Sequence, residues 1–257
     1  MKSKEPTVDV INGVLRCEVS DASRGDSLNE SSIAAAAQAL RSPDSRIRAV
    51  LLVTAGKNFC NGGNVAAFAS AQDPGEYVGA VARDFHFFIE ALTGSNVPVI
   101  AAVRGWAAGA GMSIACASDI IVGSAQSSFL PAYSGIGFSP DGGMTWTLPR
   151  LVGLARARDL LLTNRSIDGD EAYRIGLLSR LVDDSRIETE AARIAQIIAD
   201  GSSTALASIK QLLSMSATSE FSDQLRREEH AISLNAASSD GREGVAAFLA
   251  RRTPTFS

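Results

Sequence analysis

The chain is poor in cysteine, histidine and aromatic residues, and it carries no excess of basic charge. Its three cysteines, Cys17, Cys60 and Cys116, cannot all pair with one another, and none stands in a CxxC spacing. A zinc ribbon or thioredoxin-type motif is thereby excluded, and reduced thiols in a cytoplasmic protein are the plain reading. The only histidines, His86 and His230, have no close companions at metal-ligand spacing. With 24 Lys+Arg against 28 Asp+Glu, no global cationic surplus exists to neutralise a nucleic-acid backbone, although a small anionic ligand needs only a few local cations. The opening residues MKSKEPTVDV lack the apolar stretch of a signal peptide. The most membrane-like run, Val97 to Ala117, is interrupted by Arg104 and contains Gly105, Gly109 and Gly111, so it predicts a buried strand, a turn and a helix instead of a membrane span. Hydrophobic residues at 46% exclude disorder, and 22 glycines against 6% aromatics predict a core built on close backbone approach.

The pattern along the chain alternates strands with helices. Thr7 to Val19 reads as a strand or hairpin, and Asn29 to Leu40 as an Ala-rich helix. Ile47 to Thr54 and Val97 to Val103 are β-branched apolar runs of buried parallel-strand type, and Asp119 to Val122 starts a third strand. Pro74 to Leu92 is helical, with Val81, Phe85, Phe88 and Leu92 at helical spacing. Short helices follow around Ala155 to Leu162 and Asp170 to Ile175. The last third is almost entirely helical, in pieces Glu188 to Ile198, Leu206 to Leu213, Phe221 to Leu234 and Arg242 to Leu249. This predicts an α/β core over residues 1–195 and a helical C-terminal region over 196–257, with no Pro/Ser linker and no short-period repeat.

Three stretches have the composition of chemistry-bearing loops. FCNGGNV follows one predicted strand and GWAAGAGMS follows the next; glycines there let backbone N–H groups face a ligand, and two such loops can each donate one N–H to a single oxyanion. Both also read as ordinary tight strand–helix turns. GAGMSI lacks the third glycine of a dinucleotide fingerprint, and GMSIA lacks the last glycine of a nucleophile elbow, although a hydrolase order Ser113, Asp141, His230 can be written. In the third stretch, Asp141 stands between Pro140 and Gly142, a turn position. It reads as a solvated turn residue or as a carboxylate turned into an apolar pocket near Phe138, Trp146 and Leu148, where burial fits it for proton transfer.

FCNGGNV, PVIAAVRGWAAGAGMSIACASDI, GIGFSPDGGMTWTLPRLVGLARA and the ending EGVAAFLARRTPTF, in that order, resemble the crotonase superfamily of enoyl-CoA hydratases and isomerases. The resemblance spans about residues 8 to 256. It implies an α/β, crotonase-like spiral of ββα units with a helical C-terminal trimerisation region, a homotrimer or a hexamer of two trimers, an acyl-CoA thioester substrate, and no metal or redox cofactor. It places the oxyanion-hole donors on the backbone N–H groups of Gly63 and Ala110, and the adenine-side loop on Asn61, Gly62 and Asn64. Asn64 stands where the family usually carries Asp. Arg24 falls where a basic residue meets the CoA phosphates, and it reads equally as a solvated loop residue.

The departures from the family pattern carry more information. The two glutamates with which hydratases hold water map onto Ser113 and Tyr133, neither of which is a carboxylate. What remains is Asp141, in a pattern similar to epoxyphenylacetyl-CoA isomerases and some enoyl-CoA isomerases, whose acidic residue here transfers the proton. The resemblance therefore implies an acyl-CoA isomerase with catalytic Asp141, Gly63 and Ala110 and with Ser113, Tyr133, His86 and Phe138 at the substrate pocket. Three other readings stay open. One is a hydratase or related reaction in which Asp141 works with water. Another is a dehalogenase- or hydrolase-like aryl-CoA enzyme with Asp141 as nucleophile and His86 beside it, for which the family pattern has Trp at Tyr133. The last is a non-catalytic acyl-CoA binder. His86 also reads simply as a helix residue beside Phe85 and Phe88, and Tyr133 as pocket wall.

Overall fold

The computed structural model describes residues 7–42 and 46–256. Residues 1–6, part of the opening segment read as lacking a leader, lie outside the described residues. A six-stranded sheet runs in the order Val8–Ile11, Val14–Glu18, Ala49–Val53, Val99–Val103, Ile120–Gly123, Arg180–Leu181. The first two strands form an antiparallel hairpin and the rest pair in parallel. Ala49–Val53 and Val99–Val103 are buried at every position, which is why they read as unbroken apolar runs and not as alternating ones. One face of the sheet meets the helices Glu30–Arg41 and Pro74–Gly94, which pack on each other; the other face meets the helix Ile187–Ala199. That last helix runs through residues 195 and 196 and buries Ala199; farther on, Asp240 and Ala247 are buried.

Local signals start the helices. Asp73 accepts the Glu76 N–H at 2.9 Å with Pro74 at the first turn, and Asn29 accepts the Ser32 N–H at 3.3 Å. A second sheet, Ile167–Asp168, Ser128–Leu130, Trp106–Ala108, has strands of two or three residues and was not anticipated from the sequence. Within the run Val97 to Ala117, the expected turn thus contains the strand Trp106–Ala108 before the helix Ala110–Cys116. The helices Val65–Ser70 and Met144–Val152 were likewise not anticipated, the second because Pro149 lies inside it. Among the described residues no helix is long and apolar enough to cross a membrane.

Candidate active site

Two loops and one turn converge on a cavity of about 550 Å³. The first loop follows the strand Ala49–Val53. Buried Asp26 sets its course: the carboxylate accepts from the backbone N–H and side-chain Nδ2 of Asn58, each at 3.0 Å, and the carbonyl accepts from the Asn61 N–H at 2.8 Å. The Leu28 N–H donates to the Gly62 carbonyl at 2.8 Å. The second loop follows Val99–Val103 and is zipped to the first, since the Cys60 N–H donates to the Trp106 carbonyl at 3.0 Å and the Ala108 N–H to the Cys60 carbonyl at 2.8 Å. The approach leaves room only for hydrogen at Gly111, where a Cβ would stand 2.2 Å from the Cys60 carbonyl oxygen. Burial pushes the Cys60 thiol up to about 12, so the sulfur under this loop is an unreactive packing group.

Beyond the zipped residues, the backbone N–H groups of Gly63 and Ala110 have no hydrogen-bond partner among the described residues, and both residues line the cavity. Buried backbone donors are nearly always paired, so two unpaired ones at a cavity wall are suited to hold an external oxygen.

The turn 139–143 closes the other side. The Tyr133 hydroxyl donates to Asp141 Oδ1 at 2.6 Å. Ser113 Oγ lies 3.1 Å from the Tyr133 hydroxyl and donates to the Asp141 carbonyl at 2.9 Å. The Gly142 N–H donates to His86 Nε2 at 3.1 Å. Burial, and then the adjoining Asp141 carboxylate, push the Tyr133 phenol well above its ordinary pKa, so it stays protonated and acts as a donor. Gly142 is required by its backbone angle, φ +60°, and by the 2.4 Å that would separate a Cβ from the Phe85 ring.

Of the residues singled out from the sequence, Asn61, Gly62, Gly63, Ala110, Tyr133, Phe138 and Asp141 line the cavity. Four do not. Ser113 is fully buried behind Tyr133 and Asp141, because its hydroxyl is consumed by those two partners. His86 is exposed on the helix Pro74–Gly94 and reaches the Gly142 backbone, not the cavity. Asn64 spends its side chain on capping the helix Val65–Ser70 through the Ala67 N–H. Arg24 is exposed on the turn Ala22–Arg24, which Asn61 Nδ2 ties to the loop through the Gly25 carbonyl at 2.9 Å. Trp146 and Leu148 do not supply the apolar surround expected of Asp141: Trp146 is exposed beneath the Arg150 guanidinium, and Leu148 is buried in the core. His230 sits exposed on the helix Phe221–Ala237, away from the cavity lining, so Ser113, Asp141 and His230 form no triad.

Phe138 apart, the apolar wall comes from residues that sequence reasoning did not name individually for the pocket. Phe68 stacks on Phe138 with centroids 6.3 Å apart, and Val78, Val81 and Phe85 present one side of the helix Pro74–Gly94. The helical stripe containing Val81 and Phe85 was visible, but a stripe facing a cavity has the same spacing as one facing a core. Among the described residues, no group of three His, Cys, Asp or Glu side chains is placed to hold a metal ion.

A parallel-sheet α/β fold that presents two backbone donors and one carboxylate to an apolar cavity defines an enzyme of the crotonase class. The chain belongs to the enoyl-CoA hydratase/isomerase family, whose model matches residues 10–257. It is 35% identical to the 1,2-epoxyphenylacetyl-CoA isomerase of Escherichia coli (strain K12), over 96% of each chain. It is 32% identical to the short-chain-enoyl-CoA hydratase of Clostridium acetobutylicum, over 81% of this chain and 80% of that one. Its structure is similar to that of an enoyl-CoA hydratase from Polaromonas sp. JS666, with a TM-score of 0.91, 32% identity, and coverage of 99% of this chain and 100% of that one.

Proposed function

We propose that this enzyme isomerises an acyl-CoA thioester by moving a proton, with Asp141 as the proton carrier. The observation that carries this reading is that, among the described residues, Asp141 is the sole carboxylate lining the cavity that also holds the Gly63 and Ala110 N–H groups; the family resemblance adds that Ser113 and Tyr133 stand where hydratases keep glutamates. Gly63 and Ala110 donate to the thioester oxygen. As the Cα–H bond breaks, its electron pair moves into the thioester and the oxygen becomes an enolate oxyanion, which two donors stabilise more than the starting carbonyl. Asp141 takes the proton and returns it at another carbon of the acyl chain. The proton leaves and comes back and no electrons are lost, so the step needs no resident metal or redox cofactor and no water. Tyr133 occupies Oδ1 and leaves the other carboxylate oxygen for the substrate.

The substrate's CoA end is assigned to the rim formed by Asn61, Gly62 and the Arg24 turn, with the acyl chain against Phe68, Val78 and Phe138. The likeness to both isomerase and hydratase relatives makes acyl-CoA the common substrate class and leaves the added water as the point of difference. We also propose a cytoplasmic homotrimer, or a hexamer of two trimers, assembled through the C-terminal helices.

The test is product mass across panels of 3-enoyl- and 2-enoyl-CoA thioesters. Isomerisation leaves mass unchanged, and hydration adds one water. Asp141→Asn should lower turnover by about 10²–10⁴-fold, the range of a lost general base. Intact isomerase turnover in that variant overturns the assignment, a hydrated product replaces it with the water-adding reaction, and a covalent adduct on Asp141 replaces it with nucleophilic catalysis.

A further inference from the structure

We infer that His86 is a positioning residue for the Asp141 carboxylate, acting by locking the peptide unit that joins Asp141 to Gly142. The inference rests on the reading of Asp141 as the proton carrier.

That peptide unit is held at both ends. Its carbonyl, on Asp141, accepts from Ser113 Oγ at 2.9 Å. Its N–H, on Gly142, donates to His86 Nε2 at 3.1 Å. The two partners come from different elements, Ser113 from the helix Ala110–Cys116 and His86 from the helix Pro74–Gly94, so the plane is clamped between them. The clamp has a specific task because the next residue is a glycine at φ +60°. Glycine adopts positive and negative φ with similar ease, so within the turn itself only the Met144 N–H, donating to the Asp141 carbonyl at 3.3 Å, opposes rotation of a peptide plane that ends on it. A fixed plane fixes the direction of the Asp141 side chain, and the 2.6 Å hydrogen bond from Tyr133 then selects which oxygen faces the substrate.

Gly142 is buried, and among the described residues no other acceptor for its N–H is present. Without His86 that donor loses its fixed protein acceptor, and either solvent entering at the exposed His86 position or a tilt of the peptide takes its place, so the plane is no longer held. The acceptor is Nε2, so in this arrangement the ring proton sits on Nδ1. His86 holds the turn from behind and does not itself line the cavity, which separates this role from that of a base or nucleophile. The helix that carries it also carries the apolar wall at Val78 and Phe85, so acyl-chain wall and carboxylate turn share one rigid element.

The test compares His86→Ala, His86→Gln and His86→Asn with the wild type and with Asp141→Asn. The Gln amide oxygen reaches close to the Nε2 position and can accept the same N–H, whereas the shorter Asn places its oxygen near Nδ1. His86→Ala should lower kcat by about tenfold to 100-fold with KM nearly unchanged, as expected when a reacting group is displaced and binding is not. His86→Gln should recover most of the loss, and His86→Asn should not. Amide hydrogen exchange at Gly142 should be slow in the wild type and in His86→Gln and fast in His86→Ala. Unchanged kcat in His86→Ala while Asp141→Asn is inactive removes the positioning role and leaves the proton carrier standing. An equal Gly142 exchange rate in wild type and His86→Ala overturns it without reference to activity, as does a loss confined to KM. Full turnover in Asp141→Asn overturns the parent reading and this inference with it.

Discussion

The helix that starts at the second loop and the helices that end the chain treat apolar residues in opposite ways. Ala110–Cys116 buries every one of its residues within a single copy of the chain. Ser203–Ser216 and Phe221–Ala237 bury none, and large apolar side chains there stand open, with Leu213 at 69%, Ile232 at 70% and, farther on, Phe248 at 82% exposure. The core's stability is therefore contained in its own chain, whereas the tail presents apolar surface that only another copy would cover in the proposed trimer. Polar contacts fasten the helix Ser203–Ser216 to the core. Lys210 Nζ donates to the Leu92 and Val97 carbonyls at 3.0 and 2.8 Å and pairs with Asp119 at 2.9 Å, and Gln211 Nε2 donates to Asn96 Oδ1 at 2.7 Å. A region held by a few hydrogen bonds and a region held by close packing should fail differently.

The largest effect is expected in the core. Gly111→Ala drives a methyl group into the Cys60 carbonyl and should cost about 3 kcal/mol or more, since the obstacle is backbone. A thermal melt close to that of the wild type would show that the zipped loops yield more easily than their packing implies. At the junction, Lys210→Met keeps the stem but removes the charged donor shared by three acceptors, each of which keeps one weaker or neutral donor, at a cost of about 1 kcal/mol. Its signature should be local: amide protection lost in the tail before the sheet, measured by hydrogen exchange.

Alkaline pH should probe the core alone, because Cys17, Cys60 and Cys116 all lie there. Burial pushes each thiol from 9.0 up to about 12. The folded chain then holds these protons more tightly than the unfolded one. Their contribution is complete below pH 9 and is lost as pH rises from there toward 12, at about 1.4 kcal/mol per pH unit per thiol. Urea midpoints taken from pH 8 to pH 10 should fall, and Cys17→Ala should flatten the slope; an identical slope in the variant would remove the thiols from the account. The smallest effect on the fold is expected at the tail surface. Phe248→Asp should change the stability of a single copy by no more than about 0.5 kcal/mol, the range for exposed positions. Its effect should appear instead in sedimentation, as a shift from trimer to monomer; a wild-type protein that sediments as a monomer at micromolar concentration would contradict the proposed assembly.

The same contrast explains what could be read in advance. Ala49–Val53 and Val99–Val103 were recognisable because strands buried on both faces must be apolar throughout, and the long helices because a stripe at helical spacing persists over many turns. Trp106–Ala108, Ser128–Leu130 and Arg180–Leu181 have too few residues to express a period, and they exist because a neighbouring strand is placed beside them. The site divides in the same way. Gly63, Ala110, Tyr133 and Asp141 were named from motifs and do meet at the cavity. Ser113 and His86 were named for the pocket but turn toward the Asp141 peptide, and Asn64 turns to its own helix. Phe68 is not singled out by the sequence, because an isolated aromatic in an Ala-rich stretch carries no sign of which loop it will face.

The sequence by itself determined the alternation of buried strands and helices and the glycines that permit two loops to touch. These are properties of residue type and spacing, and short-range sterics and burial suffice to impose them. Only the tertiary structure decided which side chains face the cavity and which spend their hydrogen bonds behind it. That choice depends on donors and acceptors brought together from segments as far apart as His86 and Gly142, and no local pattern encodes the direction of a side chain toward a partner 56 residues away.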